Sequence, residues 1–458
     1  MPSAIRSSRV LLPEGVAAAT VTFDGPRIAS VVRGDGSDAP ASGILDVGDH
    51  LVAPAWVNAH THLPMSSLRG IGGAQARKGN VVEDLWFAIE AQLTPADVRA
   101  FTRMGALECL LNGTGAVFEH YYFADAVAQA LLDVGLCGVV APTLQDRGGP
   151  GATAWEAQLE ATARLHADAG LAEQGVVMAL GPHATDTVSD ELWARLLTLP
   201  DDLPVHVHVA QSPEEHGRAL ERGTTPVALL ADNGVLERRV LAVHALYVSD
   251  TDRARLDPDR HILGHCPWSQ AQYAFPAPVE RWRADGFGVA VGTDAGACND
   301  SMNVQQELRP LGTAALYGVT DRAPARAAGV LDADGLAADR QRVWSAHRTL
   351  AQPAWLLDTI TSVPGAFHPK LPLGRIAAGA WANLAVYDLD HPAMWPAPDP
   401  LRALAYGDAA SALHTVVVSG KVVGEVGSPR ALLHGDEVRA WVQEAHERLR
   451  ALRIRASV

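Results

Sequence analysis

Two histidines one residue apart, His60 and His62, close the apolar run Leu51-Val-Ala-Pro-Ala-Trp-Val-Asn-Ala-His60-Thr-His62. The run reads as a buried strand, and side chains two apart on a strand share a face. Both imidazoles then project the same way from the strand's end, which is half of a tetrahedral or five-coordinate metal site. Alone the pair is weak evidence, since two histidines also share ordinary polar surface. Its meaning depends on whether other strand ends supply further ligands.

Strand-like segments along the middle of the chain end near His62, His120, Thr143, His183, His208, His244, His265 and Asp294. In Val205-His206-Val-His208 both imidazoles face one way, so either is a candidate ligand. His208, nearer the C-terminal mouth, is preferred, with His206 as a deeper packed polar residue. His244 ends the short apolar run Arg239-Val-Leu-Ala-Val, where a satisfied core histidine is the plain alternative. Asp294 follows a buried strand and a Gly-Thr pair, and by itself reads equally as a helix N-cap. That reading weakens once three or four histidines occupy sister strand ends.

Positioning such a set requires a barrel. Between Ala55 and Pro369 about eight strand-like segments alternate with helix-like ones, the number a closed (β/α) barrel needs, and these barrels carry catalytic groups at C-terminal strand ends. Short strand patterns flank it. Arg9-Val-Leu-Leu, Ala19-Thr-Val-Thr-Phe and Arg27-Ile-Ala-Ser-Val-Val precede it, with a hairpin at Asp24-Gly25. Trp381–Asp388 and Thr415–Val423 follow it, the latter turning at Ser419-Gly420. The expected organisation is an α/β chain: a β-domain assembled from residues 1–54 and 370–458, with the barrel, residues 55–369, inserted between. An amphipathic segment, Asp436–Arg453, closes the chain as a surface helix.

A net charge of −15 argues against nucleic acid or an anionic membrane as partner, leaving a small molecule. No apolar run reaches the roughly 18 residues of a membrane span, and Met1-Pro-Ser-Ala-Ile-Arg lacks a signal-peptide layout. Cys109, Cys137, Cys266 and Cys298 are scattered without a CxxC pair, as for reduced thiols of a cytoplasmic protein. A homodimer is the base-rate expectation.

These residues resemble the amidohydrolase superfamily, in the branch of cytosine and guanine deaminases, S-adenosylhomocysteine deaminase and triazine hydrolases. Pro54-Ala-Trp-Val-Asn-Ala-His60-Thr-His62 resembles its first-strand signature. Leu68-Arg-Gly70, Gly181-Pro-His183, His206-Val-His208, Val243-His244, Gly264-His265-Cys-Pro and Gly292-Thr-Asp294-Ala-Gly-Ala-Cys-Asn299 follow in order. Leu373-Gly-Arg-Ile-Ala-Ala-Gly-Ala-Trp-Ala-Asn-Leu-Ala-Val resembles the re-entry into the β-domain. The resemblance implies a distorted (β/α)8 barrel with a composite β-sandwich. It implies one divalent metal, zinc or iron, held by His60, His62, His208 and Asp294. Asp294 and His244 would be catalytic, with His244 beside the activated water, and Gln211, His183, His265 and Trp268 would contact substrate. Binuclear relatives use a lysine from the fourth strand. Lys78, Lys370 and Lys421 lie on no middle barrel strand, which favours one metal, although Glu119 is a candidate bridge to a second.

The chain departs from the pattern at Gln211, three residues past His208, where deaminases of this branch carry a proton-shuttling glutamate. A glutamine amide exchanges no proton near neutral pH. Glu214 and Glu215 follow and are expected to be solvated first-turn helix carboxylates. Trp268 and Gln270 also differ from the family motif, and the glycine-rich stretch Gly70–Glu83 is expected to cover the site. Three functions follow: deamination or related C–N hydrolysis of a small heterocycle or amidine-like compound; hydrolysis of an amide, cyclic amide or aryl halide; or a catalytically weak small-molecule-binding barrel. Retention of every ligand argues against the last, with deamination slightly ahead.

Overall fold

The computed structural model describes residues 2–34, 43–71, 81–272, 277–313, 332–349 and 351–456. Five strands come first: β1 (Ala4–Leu12), β2 (Gly15–Asp24), β3 (Arg27–Arg33), β4 (Ile44–Asp46) and β5 (Leu51–Pro54). Asp24 pairs with Arg27, so the Asp24-Gly25 signal is the expected hairpin. The apolar run that opens the barrel is two strands rather than one. It breaks at Ala55, because Pro54 has no N–H for a ladder and the Ala55 N–H goes to the Asn383 carbonyl. β5 therefore stays in the terminal sheet, while β6 (Trp56–His62) enters the barrel.

The barrel continues through β7 (Thr114–Tyr121), β8 (Cys137–Leu144), β9 (Val176–Met178), β10 (Gly181–Pro182), β11 (Val205–Val209), β12 (Val240–His244), β13 (His261–His265), β14 (Gly288–Val291) and β15 (Asp294–Ala295). β9 and β10 are two pieces of the fourth strand, both parallel to β8. A Leu180–Val205 bridge joins that strand to β11, and β11 to β14 run on in parallel. β15, the end of the eighth strand, pairs with β6 and closes the ring. Two side chains lock that closure. The Asn58 amide donates to Thr293 Oγ1 at 2.8 Å and accepts the Thr293 N–H at 2.9 Å. Gly292 is required at the same seam, since a Cβ there would lie 2.5 Å from the His60 backbone nitrogen.

Three more strands, β16 (Leu384–Tyr387), β17 (Leu413–Val418) and β18 (Lys421–Val423), complete the terminal sheet, ordered β18-β17-β16-β5-β1-β2-β3 with β4 beside β1. Its core is a separate apolar cluster that includes Ile5, Val21, Ile28, Val52, Leu384 and Val417. Ser419 and Gly420 both have positive φ and connect Val418 to its partner Lys421, a two-residue hairpin. The last helix, Asp436–Ala456, packs on the helix Pro95–Leu111, where Arg448 and Arg455 pair with the buried Asp97. Among the described residues no helix is long and apolar enough to cross a membrane. All four cysteines are buried and free.

Candidate functional site

Ligand atoms of His60, His62 and His208 lie within 4.8 Å of one another, as do those of His60, His244 and Asp294. His60 Nε2 is 3.3 Å from His208 Nε2, and Asp294 Oδ1 is 3.5 Å from His62 Nε2 and 3.7 Å from His60 Nε2. Tetrahedral zinc with bonds of about 2.0–2.1 Å has ligand-to-ligand edges of roughly 3.3 Å, so the spacing fits one small divalent ion.

The outer nitrogens of the rings say the same. His62 Nδ1 donates to the His120 carbonyl at 2.6 Å, and His208 Nδ1 to the His183 carbonyl at 2.7 Å. Each bond fixes the ring's proton on Nδ1 and leaves the Nε2 lone pair facing the cluster. His60 Nδ1 is 2.8 Å from His206 Nε2. For His60 Nε2 to ligate, its Nδ1 must donate to His206, whose own proton then sits on Nδ1, a buried atom with no partner. His206 thus orients a ligand from below. Burial, reinforced by neighbouring imidazoles, holds His60 and His208 below the usual histidine range. Burial also lowers His62, against the pull of Asp294, and pushes His206 down to about 3. Neutral rings with converging lone pairs are costly to bury unpaired, and an ion satisfies them.

Backbone geometry aims the remaining groups. Ala210, His244, Ala245 and Asp294 all have positive φ, between 47° and 77°, an arrangement that costs non-glycine residues about 1–3 kcal/mol each. The strands β11 and β12 and the Thr293–Asp294 turn therefore end in sharp bends at the mouth. Asp294 is held at both oxygens: Oδ1 accepts the Ala295 N–H and Oδ2 the Ser269 hydroxyl, each at 2.8 Å. His244 stacks on His208 at 5.5 Å between centroids, with its Nδ1 2.8 Å from the Gln270 amide nitrogen.

A cavity of about 320 Å³ opens above this cluster. His62, His208, His244, Asp294, Ser269 and Gln270 form its floor, and Trp86, Phe87, Glu90, Tyr121, Tyr122 and His183 line its wall. His183 Nδ1 is held by Thr187 Oγ1 at 2.8 Å. Burial pushes the Glu90 carboxyl up to about 7 against the opposing hydrogen bond from Tyr121. Gln211 lines the cavity beside Glu214.

Three expectations need correction. Glu215 is fully buried rather than solvated: its carboxylate accepts the Gln211 N–H at 2.8 Å and the Thr185 hydroxyl at 2.5 Å, tying two loops together. Trp268 is 49% exposed and absent from the cavity lining, since a helix turns about 100° per residue and it is Ser269 and Gln270 that face inward. His265 is buried against the edge of Trp282 and does not reach the lining either. The stretch 72–80, expected to cover the site, lies outside the described residues, although Val81, Val82 and Glu83 beyond it line the cavity. Sequence reasoning missed Ser269, which sits inside the Cys-Pro-Trp-Ser-Gln motif, and Glu90, which no motif marks.

An amidohydrolase family model matches residues 51–331. A 5-methylthioadenosine/S-adenosylhomocysteine deaminase of Natronomonas pharaonis is 30% identical over 448 residues, 97% of each chain. A 5'-deoxyadenosine deaminase of Methanothrix thermoacetophila is 28% identical over 89% of each. Among solved structures, a zinc-bound adenosine deaminase from Xanthomonas campestris superposes with a TM-score of 0.81 at 24% identity, covering all of both chains. The zinc complex of atrazine chlorohydrolase from Arthrobacter aurescens gives 0.80 at 21% identity, over 97% of this chain and 99% of that one.

Proposed function

The chain belongs to the amidohydrolase family, and on that premise we propose that it is a metal-dependent hydrolase that deaminates a small aminated heterocycle or amidine-like compound. The observation that carries this reading is the convergence of three neutral imidazoles and one carboxylate on a single point at the floor of a cavity. His60, His62, His208 and Asp294 would hold one divalent ion; imidazole and carboxylate donors suit zinc, and also ferrous iron. Bound there, the ion supplies a Lewis acid that lowers the pKa of a water towards about 7.

The chain's own groups do the rest. Asp294 sits where it can take the proton of the attacking water, while Ser269 keeps the carboxylate from rotating. His244 stands beside the ligand cluster, placed to stabilise the attacking oxygen. The exchange is N=C–NH2 plus water to HN–C=O plus ammonia, so of the water's two protons one must reach the ring or amidine nitrogen and the other the leaving nitrogen. Gln211 can carry neither, and Asp294 returns the one it took. The aromatic wall of Trp86, Phe87, Tyr121 and Tyr122 offers faces to a flat ring and keeps bulk water away. The curated relatives bring aminopurine nucleosides to the head of the substrate list.

Purified protein carrying about one equivalent of zinc or iron should release ammonia from at least one member of a panel of adenosine-type nucleosides, pyrimidines, pterins, aminotriazines and amidines. Release from none, with hydrolysis of an amide or aryl halide instead, would favour the second reading that Gln211 supports. A metal-free protein that binds panel members without turnover would leave a small-molecule-binding barrel.

A further inference from the structure

His244 presents a problem that its neighbours do not. Its ligand atom lies within 4.8 Å of those of His60 and Asp294, and its ring stacks on His208. A neutral imidazole with a lone pair on that side would be a further metal ligand. In the other role, as a donor to the attacking oxygen, the same nitrogen must carry a proton. Unlike His62 and His208, His244 has no backbone carbonyl of the described residues on its outer nitrogen to settle the choice. It has Gln270, 4% exposed, whose amide nitrogen is 2.8 Å from His244 Nδ1.

We propose that Gln270 is a positioning residue that fixes His244 as the tautomer protonated on Nε2, making it a hydrogen-bond donor at the reaction centre and not a metal ligand. An amide NH2 only donates, so His244 Nδ1 must be the lone-pair nitrogen and Nε2 must carry the hydrogen. The opposite rotation of the amide would present Oε1 and demand a proton on Nδ1. The structure places the NH2, not Oε1, against His244 Nδ1. Gln270 Oε1 and His265 Nδ1 on the far side are both buried without a hydrogen-bond partner, so no other group competes with His244 for the amide. Gln270 thereby sets His244. This rests on the metal-dependent hydrolase reading for its catalytic meaning, but the tautomer is a property of the chain itself.

The test is 15N NMR of metal-loaded protein labelled at histidine, with the His244 signals identified by their loss in His244→Asn. Expected are a pyrrole-type Nε2 and a pyridine-type Nδ1 in the wild-type chain. Gln270→Glu should reverse the pair, because a carboxylate accepts from Nδ1–H, and Gln270→Leu should leave the two forms mixed. On a turned-over substrate, Gln270→Glu should lower kcat about tenfold or more with KM and metal content little changed, and Gln270→Asn should recover part of the loss. A pyrrole-type Nδ1 in the wild type, or no change of tautomer in Gln270→Glu, overturns the proposal. Failure to find any substrate would sink the functional reading and leave the NMR result standing.

Discussion

At the cavity floor, every reactive side chain stands on a strand of one closed barrel and is held at its outer atoms by another residue. His62 rests on the His120 carbonyl, His208 on the His183 carbonyl, and Asp294 on Ala295 and Ser269. Part of the wall is made differently. Trp86, Phe87 and Glu90 come from a short stretch, Val82–Trp86 with five-residue hydrogen-bond spacing and then one turn of α-helix, Phe87–Glu90. Such π-type turns recur at functional sites. On the proposed reading the floor would carry the chemistry and the wall would select what the chemistry is done to. Variation in the wall can therefore change substrate without disturbing catalysis.

The largest effect should come from the floor. Asp294→Asn keeps the shape and the Ser269 contact but removes the proton acceptor. Turnover should fall by about 10²–10⁴ in kcat, with the circular dichroism spectrum unchanged. Activity within tenfold of wild type would move the proton chemistry from the floor to a carboxylate elsewhere in the cavity.

Removal of the metal should come next. A chelator should abolish turnover, and added zinc should restore it. Because only the folded chain presents four preformed ligands, saturating metal at 100 times its Kd should add about 2.7 kcal/mol of stability, read as a rise in thermal midpoint. Equal midpoints with and without metal would mean that the imidazole cluster is satisfied by its own hydrogen bonds.

Gln211→Glu probes the border between the two regions. Gln211 lines the cavity, and its N–H is held by Glu215, so the new carboxylate should keep its place. A rise of about tenfold in ammonia release from a neutral aminopurine is expected, since a second proton carrier then serves the ring nitrogen. No gain on any neutral ring would show that the native substrate needs no such carrier, for instance because it arrives already protonated.

The same contrast explains what the chain made legible. His60, His62, His208, His244 and Asp294 stand at or beside strand ends, where alternation and apolar runs announce both the element and the direction of the side chain. Barrel closure was readable too, although the Asn58–Thr293 clamp needed coordinates to be seen. Beyond His183 at a strand end, the wall was not readable. Glu90 faces the cavity because of how one short helical turn docks, and no periodicity reports that. Glu215 looked like a solvated helix-start carboxylate, yet Gln211 and Thr185 draw it fully inside. Trp268 and Ser269 are adjacent in one motif, and only the helical phase decides which of them meets the cavity.

The smallest effect tests whether the wall is truly dry. Burial raises Glu90 from 4.5 to about 7, so the folded chain holds that proton more tightly than the unfolded one. The linked stabilisation is complete below about pH 4.5 and is lost as pH rises through about 7. The thermal midpoint should therefore decline between pH 5 and 8. Glu90→Gln, which cannot ionise, should flatten part of the decline, a difference on the order of 1–2 kcal/mol at pH 8. Only part is expected, because Glu215 and Glu307, raised to about 7, and Glu119, raised to about 8, titrate with the same sign. Calorimetry of both proteins across that range decides it. Parallel curves would mean that Glu90 ionises freely in contact with water, and the wall would then be an open, polar surface instead of an apolar face that selects a flat ring.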